Sequence, residues 1–424
     1  MIYNIVIYFV LWGIAIASLF NEKVRKMWRG EREAFKILKQ KVDPTAKYIW
    51  FHAASLGEFE QGRPLMERIR KEYPQYKILL TFYSPSGYEV RKNYEGADII
   101  CYMPVDTRLN AIRFLRLVRP VMAFFIKYEF WSNFLHILKH RNIPTYSVSS
   151  IFREDQVFFK WYGRSYAGVL KCFTRFFVQN EESKRLLESI GITDVDVVGD
   201  TRFDRVLQIK QAAKHLPICE AFRSGVAGSD SAASSEKASH PDYKVFVAGS
   251  SWPPDEEIFI RFFNEHKDWR LLIAPHVIAE EHLKLILSLL KNKKVVRYTQ
   301  TTPEEAAKAD VLIIDCFGLL SSMYNYGDVA YIGGGFGVGI HNTLEAAVWN
   351  MPVIFGPNNK KFQEARGLLK SGGGFEINTY EDFDGLMSSM MNDEAFLKQA
   401  GDKAGAFVAS LSGATGKVLA KVEL

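Results

Sequence analysis

The sequence predicts an α/β protein with two Rossmann-like lobes, each built on a doubly wound parallel sheet, and three observations support this. Short apolar runs alternate with helical patterns over most of the 424 residues, which is typical of βα units in parallel sheets. The alternation stops at residues 224–242 and restarts after them. The length fits two or three domains at about 150 residues each, so both sides of the interruption are long enough for a sheet.

The first predicted element is a helix over residues 1–20, which carry no charged side chain. At about 1.5 Å per residue, this length matches the roughly 30 Å hydrocarbon core of a bilayer. None of these residues is basic, which argues against a cleaved signal peptide. The basic residues that follow it are Lys23, Arg25, Lys26, Arg29 and Arg32. The positive-inside rule therefore predicts a single-pass anchor with a cytoplasmic body; the alternative is a buried core helix.

The first lobe, residues 21–223, is predicted from apolar runs separated by helical patterns such as Glu60–Glu72 and Ser183–Ser189. The predicted strands are Tyr48–Ala53, Lys77–Phe82, Ile99–Tyr102, Val121–Ile126, Thr145–Ser149, Phe176–Gln179 and Val195–Val198. In open parallel sheets, ligands bind beyond the carboxyl ends of the strands. Polar residues that follow these strands are therefore candidate site residues.

Residues 224–242 are small and polar, and we predict a flexible linker there because they offer little apolar surface to pack. The alternation restarts in the second lobe, residues 243–424. Its predicted strands are Val245–Ala248, Arg270–Ala274, Lys294–Arg297, Val311–Ile314, Val329–Ile332 and Pro352–Phe355. Two such lobes joined by a linker are expected to form a ligand-binding cleft.

The most informative motif follows the strand Val329–Ile332. Five of the seven residues 333–339 are glycine, and a helix is predicted from Asn342 to about Trp349. Glycines let the backbone approach a ligand, and a helix N-terminus favours phosphate. Glu345, one turn into that helix, is placed to accept hydrogen bonds from ribose hydroxyls. The motif is neither a Walker A loop nor a good dinucleotide fingerprint, and a tight turn without a ligand is the alternative.

Two other strand ends of the second lobe are candidate ligand contacts. Ala248-Gly-Ser-Ser follows one strand, ahead of the acidic residues 255–257, and Ala274-Pro-His276 ends another. His276 is equally well explained as an ordinary surface histidine. Because His276, Glu280, Glu281 and His282 lack a metal-ligand spacing such as HExxH, no metal site is expected.

Strand ends of the first lobe carry two carboxylates and one guanidinium. Glu58 follows the strand that ends at Ala53 and is placed to act as a general base, or simply to complement a helix dipole. Glu129 follows Val121–Ile126 in the same way. Arg202 follows another strand end, where it would neutralise developing phosphate charge. Residues 84–87 end a further strand and are placed to contact an acceptor.

Composition excludes several function classes. The chain is 48% apolar and 24% charged, as ordinary globular proteins are. Its net charge of +6 is not gathered into like-charged blocks, and no nucleic-acid-binding signature is present, so no nucleic-acid partner is expected. The four cysteines lack CxxC spacing, which argues against zinc ribbons and disulfide scaffolds and fits a reducing cytosol.

In chain order, these motifs resemble those of the Kdo transferases, which transfer 3-deoxy-D-manno-octulosonic acid (Kdo) in lipopolysaccharide synthesis of Gram-negative bacteria. The motifs are Ser55-Leu-Gly-Glu58, Ser84-Pro-Ser-Gly87, Glu129-Phe-Trp-Ser-Asn133, Gly199-Asp-Thr-Arg-Phe-Asp204, Ala248-Gly-Ser-Ser, Gly333-Gly and His341-Asn-Thr-Leu-Glu345. The resemblance covers nearly the whole chain. It implies an inverting, metal-independent GT-B glycosyltransferase without a cofactor, anchored at the cytoplasmic face of the bacterial inner membrane. The implied donor is CMP-Kdo, and the implied acceptor is the 6-hydroxyl of the tetra-acylated lipid A precursor.

The resemblance also implies roles for individual residues. Glu58 matches the general base, and Glu129 and Arg202 match positions that stabilise the transition state. The implied substrate-binding residues are Ser55, Gly57, Ser86, Gly87, Pro275, His276, Gly318, Leu319, Leu320, Gly333, Gly334, Asn342, Thr343, Leu344 and Glu345. The chain departs from the family pattern at Arg202, where many members have lysine, and at Lys127 and Leu319, where many have glutamate. Residues 275–277 read Pro-His-Val where Arg-His-Pro is usual.

Two other functions fit the sequence. One is a GT-B transferase or epimerase that uses a UDP-sugar, since the spacing alone does not separate cytidine from uridine. The other is a membrane-tethered, two-lobed binding protein of the periplasmic type. The second requires a body outside the inner membrane, and the basic residues at 23–32 contradict that location.

Overall fold

The computed structural model describes residues 2–227 and 243–424. Contacts within the chain define two compact units: unit 1 is Met1–Arg205 with Ser412–Leu424, and unit 2 is Val206–Leu411. These bounds differ from the predicted lobes, 21–223 and 243–424, because the helix Pro217–Ser224 packs within unit 2 and residues after 411 pack within unit 1. Of the predicted linker, residues 228–242 lie outside the described residues.

Unit 1 contains a parallel sheet with helices on its faces. Its described strands are β1 Lys47–Ala53, β2 Tyr76–Phe82, β3 Ile99–Tyr102, β4 Met122–Ile126, β5 Thr145–Ser150, β6 Arg175–Val178 and β7 Val195–Val197. Its helices are α1 Ile2–Phe20, α2 Glu22–Lys41, α3 Leu56–Glu72, α4 Pro85–Arg91, α5 Arg108–Val118, α6 Ser132–His140, α7 Arg164–Ala167, α8 Glu181–Glu188 and α9 Arg202–Gln211, the last of which continues into unit 2. Each strand lies within two residues of its predicted bounds.

The strand order of this sheet is β3-β2-β1-β4-β5-β6-β7. The chain builds outward from β1 in one direction and from β4 in the other, so the order reverses between β1 and β4. At such a switch point the loops diverge and leave a crevice at the carboxyl ends of the strands, where ligands bind in doubly wound folds.

Successive residues of β1 supply opposite faces of the sheet, as strand geometry requires. Trp50 packs on one face with Phe114 and Phe134, at ring-centroid distances of 4.8 and 5.6 Å. Phe51 packs on the other face and stacks on Phe124 at 4.8 Å. Both faces are therefore covered by hydrophobic layers, and β1 is a continuous apolar run because a central parallel strand is buried on both sides.

Helix α2 joins α1 to the sheet and is amphipathic. It begins after Asn21, whose side chain accepts a hydrogen bond from the Val24 N–H, and it buries Ala34, Phe35 and Leu38 in the core. It also buries Glu31, and this burial raises the pKa of the carboxyl to about 8. Within the described residues, Glu31 Oε1 finds no hydrogen-bond partner.

Unit 2 repeats the architecture. Its described strands are β8 Lys244–Ser251, β9 Trp269–Pro275, β10 Val295–Arg297, β11 Val311–Ile313, β12 Val329–Ile332, β13 Val353–Phe355 and β14 Gly374–Glu376. Its helices are α10 Pro217–Ser224, α11 Pro253–Glu265, α12 Glu280–Leu289, α13 Pro303–Ala306, α14 Leu320–Met323, α15 Leu344–Ala347, α16 Gln363–Ser371, α17 Tyr380–Asn392 and α18 Glu394–Leu411. The strand order, β10-β11-β9-β8-β12-β13-β14, places a switch point between β8 and β12.

Two features of unit 2 differ from the sequence-based predictions. Strand β14 was not predicted, because it has three residues and follows glycines, which leaves too short an apolar run. The helix predicted from Asn342 to Trp349 is the single turn α15, Leu344–Ala347. Asn342 and Thr343 therefore precede the helix, and Glu345 is its second residue rather than lying one turn inside it.

The remaining helix, α19 (Ala414–Leu419), returns to unit 1. Ala414 and Val418 are fully buried in the hydrophobic layer that also contains Phe59 and Leu65 of α3. Asp204 fixes the start of α19, since its carboxylate accepts hydrogen bonds from the Gly413 and Thr415 N–H groups and from the Thr415 hydroxyl. Unit 1 is thus completed by residues far along the chain.

Candidate active site

At the switch point of unit 1, the ends of β1 and β4 bring a histidine and a carboxylate together. His52, fully buried near the end of β1, has its Nε2 3.1 Å from Oε2 of Glu129, which follows β4. Trp131 Nε1 donates to the same oxygen at 2.6 Å. The Glu129 carboxylate is therefore held in one orientation by two rings, with 12% of its side chain exposed.

The other ring nitrogen of His52 is hydrogen-bonded to Thr81 of β2. The Thr81 hydroxyl lies 2.9 Å from His52 Nδ1, accepts a hydrogen bond from Trp50 Nε1 at 2.8 Å and lies within donating distance, 3.3 Å, of the Phe51 carbonyl. His52 Nε2 carries a proton in this pair, because a bare Nε2 would face the Glu129 carboxylate as one acceptor against another.

Glu58 lies at the start of α3, immediately after β1, and closes a capping box. Its Oε2 accepts from the Ser55 N–H at 3.0 Å, while the Glu58 N–H points to Ser55 Oγ at 3.5 Å. A carboxylate has about four lone-pair positions, so the cap leaves capacity to accept a proton. Burial, with the negative charge of Glu129, raises the pKa of Glu58, while His52 and two backbone N–H groups oppose the shift. The structure shows the capping role of Glu58, and its role as general base stays a prediction.

Beside Glu129 lies an open cavity of about 480 Å³ with mostly aromatic walls. Its lining residues are Tyr3, Ala54, Tyr83, Tyr128, Glu129, Phe130, Trp131, Gln156, Phe158 and Tyr166. Tyr83 and Trp131 pack together at 4.9 Å. The cavity is large enough for a sugar and offers aromatic faces with a single carboxylate, a combination suited to a polar acceptor that carries apolar groups.

Arg202 lies at the start of α9, where its charge is paired. Its Nε donates to Asp200 Oδ2 at 2.8 Å, and its backbone N–H donates to Asp200 Oδ1 at 2.9 Å. Asp200 is buried and is held by Gln61 Nε2 at 3.0 Å. The guanidinium, one-third exposed, is therefore fixed by a buried carboxylate, and its predicted role at the transition state stays a prediction.

The other residues predicted for substrate binding in unit 1 lie on the loops after β1 and β2. Ser55 caps α3, and Gly57 is exposed in its first turn. Ser86 pairs with the Ser84 hydroxyl at 2.9 Å at the start of α4. Gly87 has a structural explanation, because a Cβ there would overlap the ring of Phe82.

In unit 2, the glycine-rich segment follows β12 and packs against the end of β8. A Cβ on Gly333 would overlap the backbone of residues 250–251, and one on Gly335 would overlap Gly356. Gly334 has φ +91°, a conformation that favours glycine. Close backbone packing therefore explains Gly333 and Gly335, whereas Gly337 has open space around its Cβ position.

Two buried carboxylates of α11 hold this turn in place. Asp255 accepts from the Gly334 N–H at 2.8 Å and from the Tyr331 hydroxyl at 2.9 Å. Glu256 accepts from the Ser251 hydroxyl and from His282 Nε2, both at 2.8 Å. Burial raises the pKa of both carboxyl groups, while these hydrogen bonds oppose the shift. They position the strand ends and are themselves buried away from a ligand.

Three rings stack at the same edge of unit 2. Trp252 stacks on His276 at 4.7 Å, and His276 stacks on His341 at 4.4 Å. Trp252 Nε1 lies 3.4 Å from His341 Nε2, so that nitrogen acts as an acceptor. Burial and the neighbouring His276 lower the pKa of His341. The predicted residues 275–276 and 333–334 therefore meet, and they meet around Trp252, which the sequence analysis missed.

The predicted residues 342–345 form a local turn. Asn342 Nδ2 donates to Glu345 Oε1 at 3.0 Å, and its Oδ1 accepts from the Leu344 N–H at 3.2 Å. The Thr343 hydroxyl is buried and finds no partner within the described residues. Because α15 is only one turn long, the predicted phosphate site at a helix N-terminus is not supported; the polar groups of this turn remain as candidate contacts.

The predicted segment 318–320 lies close to the end of β8. Gly318 has φ +85°, and Leu319 precedes α14. A Cβ on Gly249 would come within 3.1 Å of the Leu320 side chain and would overlap the Tyr324 hydroxyl. Of this segment, Leu320 approaches the β8–β12 switch point.

His52 is the main site residue that sequence reasoning missed. Its signal was a single histidine in an otherwise apolar strand, one residue before the strand ends. Nothing local indicates its partner, which lies 77 residues away.

The two units match solved structures of nucleotide-sugar enzymes. UDP-GlcNAc 2-epimerase from Neisseria meningitidis aligns with a TM-score of 0.60 at 14% identity, over 88% of this chain and 98% of that one. MurG from Acinetobacter baumannii aligns with a TM-score of 0.54 at 12% identity, over 89% and 99%. At these identities the likeness concerns the fold alone. The two Rossmann-like units define a protein with the GT-B fold.

Sequence comparisons find similarity to the Kdo transferases. Residues 29–205 match the family model described as 3-deoxy-D-manno-octulosonic-acid transferase. The transferase of that name from Aquifex aeolicus is 27% identical over 338 residues, which cover 78% of this chain and 82% of that protein. The one from Haemophilus influenzae is 25% identical over 375 residues, covering 85% and 82%. The chain is similar to Kdo transferases over most of its length and is a glycosyltransferase.

Proposed function

We propose that this enzyme transfers Kdo, with inversion, from CMP-Kdo to the 6-hydroxyl of the tetra-acylated lipid A precursor. The observation that carries the proposal is that the matched residues 29–205 contain Glu58 and the His52–Glu129 pair at the β1–β4 switch point. These groups occupy the position where doubly wound folds bind ligands.

The chemistry in unit 1 follows from the carboxylates. Glu58 accepts the proton of the acceptor hydroxyl, and the oxygen attacks the anomeric carbon of Kdo as CMP leaves. The raised pKa of Glu58 makes it a better base than an ordinary carboxylate, while it remains deprotonated when the solution pH is above that pKa. Glu129, oriented by His52 and Trp131, supplies negative charge beside the carbon on which positive charge develops.

Unit 2 is proposed to bind the CMP moiety. The candidate contacts are the exposed edge of His276, the backbone at residues 333–334 and the turn at residues 342–345. Burial and the neighbouring His276 lower the pKa of His341, which favours its neutral ring as a hydrogen-bonding group. We also propose that transfer needs neither a metal ion nor a cofactor, and we expect activity to survive treatment with EDTA.

Reconstituted transfer tests the function directly. The full chain is incubated in detergent with CMP-Kdo and lipid A precursor, and the lipid is analysed by mass spectrometry. Addition of one or more Kdo units that depends on CMP-Kdo supports the proposal. Parallel reactions with UDP-sugars test the alternative of a UDP-sugar enzyme; turnover with those donors and none with CMP-Kdo refutes the proposal.

We propose that the enzyme attaches to the cytoplasmic face of the inner membrane. Within the described residues, Tyr3–Phe20 is the one stretch of helix long and apolar enough to span a bilayer, and 6% of it is buried. The basic start of α2 adjoins it and favours an anionic lipid surface. An acceptor that is itself a lipid requires such attachment.

A further inference from the structure

One face of helix α1 is partly covered by the rest of unit 1. Side chains that are partly or fully buried recur at residues 3, 4, 7, 11, 14, 15, 17 and 18, which is the spacing of one helical stripe. The opposite stripe is exposed and apolar. Its large members include Ile5, Phe9, Trp12, Ile16 and Leu19, which are between 41% and 71% exposed.

Both ends of α1 are tied to the rest of unit 1. At the N-terminal end, the Tyr3 hydroxyl donates to Asp106 Oδ2 at 2.6 Å, and Asn133 Nδ2 donates to Asn4 Oδ1 at 2.8 Å. At the C-terminal end, Arg25 donates to the carbonyl oxygens of residues 18 and 19 at 2.9 and 2.8 Å. Midway, Leu11 lines a cavity of about 290 Å³ together with Trp28 and Phe35 of α2.

These ties conflict with the single-pass anchor that the sequence predicts. In a helix that crosses a bilayer, Tyr3 and Ser18 differ in depth by about 22 Å, at 1.5 Å per residue, and the first residues reach the far side. Here Tyr3 is hydrogen-bonded to Asp106, which is fully buried in unit 1. The polar side chains Asn4 and Ser18 also lie on the stripe that faces the protein. The Tyr8 hydroxyl and the Trp12 indole N–H are then the polar side-chain groups among the exposed residues 3–20.

The surroundings of α1 suit a lipid surface. The start of α2 carries Lys23, Arg25, Lys26 and Arg29, whose charges attract anionic headgroups. Beyond the N-terminal end of α1, Tyr166 stacks near Tyr3 at 6.4 Å and on Phe158 at 5.4 Å. The segment that follows Phe158 exposes Trp161 by 82%, and tryptophan favours membrane interfaces.

We propose that α1 lies in the plane of the membrane surface, with its exposed stripe in the acyl region, instead of crossing the bilayer. The inference rests on the proposed membrane attachment, and it holds whichever sugar the enzyme transfers. Tyr3 of α1 also lines the cavity beside Glu129. An in-plane α1 therefore places the mouth of that cavity at the headgroup level, where a lipid acceptor presents its sugar.

Depth measurements along one stripe test the proposal. Ile5, Trp12 and Leu19 are spaced by seven residues and share the exposed stripe. Each is replaced by cysteine in a Cys316→Ser background, because the other cysteines are buried, and is labelled with a nitroxide. The full chain is bound to vesicles of phosphatidylethanolamine and phosphatidylglycerol. The depth of each nitroxide is measured from the ratio of its accessibility to oxygen and its accessibility to a nickel chelate. Leu285→Cys on α12 is the matched exposed control.

The two arrangements give opposite results. An in-plane helix puts the three labels at a common shallow depth, about 5–10 Å below the headgroups. A spanning helix makes position 12 about 10 Å deeper than positions 5 and 19, and that profile overturns the proposal. Failure of the chain to sediment with the vesicles overturns the attachment itself, whereas the Kdo-transfer assay in detergent is unaffected by either result.

A topology experiment in cells gives an independent answer. A short neutral epitope is placed ahead of Met1, and trypsin is added to spheroplasts or to inverted membrane vesicles. An in-plane α1 leaves the epitope on the cytoplasmic side, so it is digested only in inverted vesicles. Digestion in intact spheroplasts places the N-terminus outside and refutes the in-plane arrangement.

Discussion

Replacement of Glu58 by glutamine separates its two roles. A glutamine at the third position of α3 still closes the capping box with Ser55, because its amide oxygen accepts the same hydrogen bond. It cannot take a proton from an acceptor hydroxyl. We therefore expect Glu58→Gln to fold and to bind CMP as the native chain does, while the chemical step is lost.

The size of the effect follows from the role. A positioned general base contributes about 10²–10⁴-fold to a rate, which corresponds to about 3–5 kcal/mol of activation free energy. The loss of the cap alone, as in Ser55→Ala, costs only about 0.5–2 kcal/mol of stability. A drop in kcat without a drop in thermal stability would thus identify the chemical role of Glu58.

The assay compares three proteins under the same conditions: the native chain, Glu58→Gln and Glu72→Gln. Glu72 lies at the other end of α3 and pairs with Arg68 on the surface, so it controls for the substitution itself. Initial rates with CMP-Kdo and lipid A precursor are measured together with melting temperature and CMP affinity. If Glu58→Gln keeps more than about a tenth of the native rate, Glu58 does not serve as the general base.

Three further predictions concern the groups around the two switch points and the α2 interface. Glu129→Gln removes negative charge beside Glu58, so the pKa of Glu58 should fall and the acid limb of the pH–rate profile should move to lower pH; an unmoved limb contradicts the coupling. Gly333→Ala forces a Cβ into backbone and should cost about 1–3 kcal/mol by denaturant unfolding, whereas Gly337→Ala, with open space at its Cβ, should be neutral; equal costs refute the packing explanation. The Glu31 carboxyl has a pKa of about 8 in the folded protein, so the free energy of unfolding should fall as pH rises toward 8, by up to about 5 kcal/mol. Glu31→Gln should flatten this pH dependence in melting temperatures measured in detergent. An unchanged slope refutes the prediction.

The sequence predicted those parts of the fold and the site that depend on local patterns. Strands such as β1 were found because buried parallel strands are continuous apolar runs. Glu58 was found because Ser-x-x-Glu after a strand is a local signal for a helix start. The resemblance to Kdo transferases was found for the same reason, since the motifs that carry it are short and follow strand ends in a fixed order.

The remainder depends on contacts between distant residues. The pairing of His52 with Glu129 requires β1 and β4 to be neighbours, and only the order of the whole sheet determines that. The glycines at 333 and 335 suggested a ligand, but the tight packing of β12 against neighbouring backbone explains them. The placement of α1 depends on Asp106 and Asn133, which no pattern within residues 1–20 reveals.

The return of α19 to unit 1 affects the order in which the chain can fold during synthesis. Unit 2 is one continuous segment, Val206–Leu411, and all of its residues are available before α19 is translated. Unit 1 begins first, yet its hydrophobic layer lacks Ala414 and Val418, and Asp204 lacks its partners, until residues 412–424 emerge from the ribosome. The unit that carries Glu58 is therefore the last to be completed, and a chain that stops short of α19 leaves its core open to solvent.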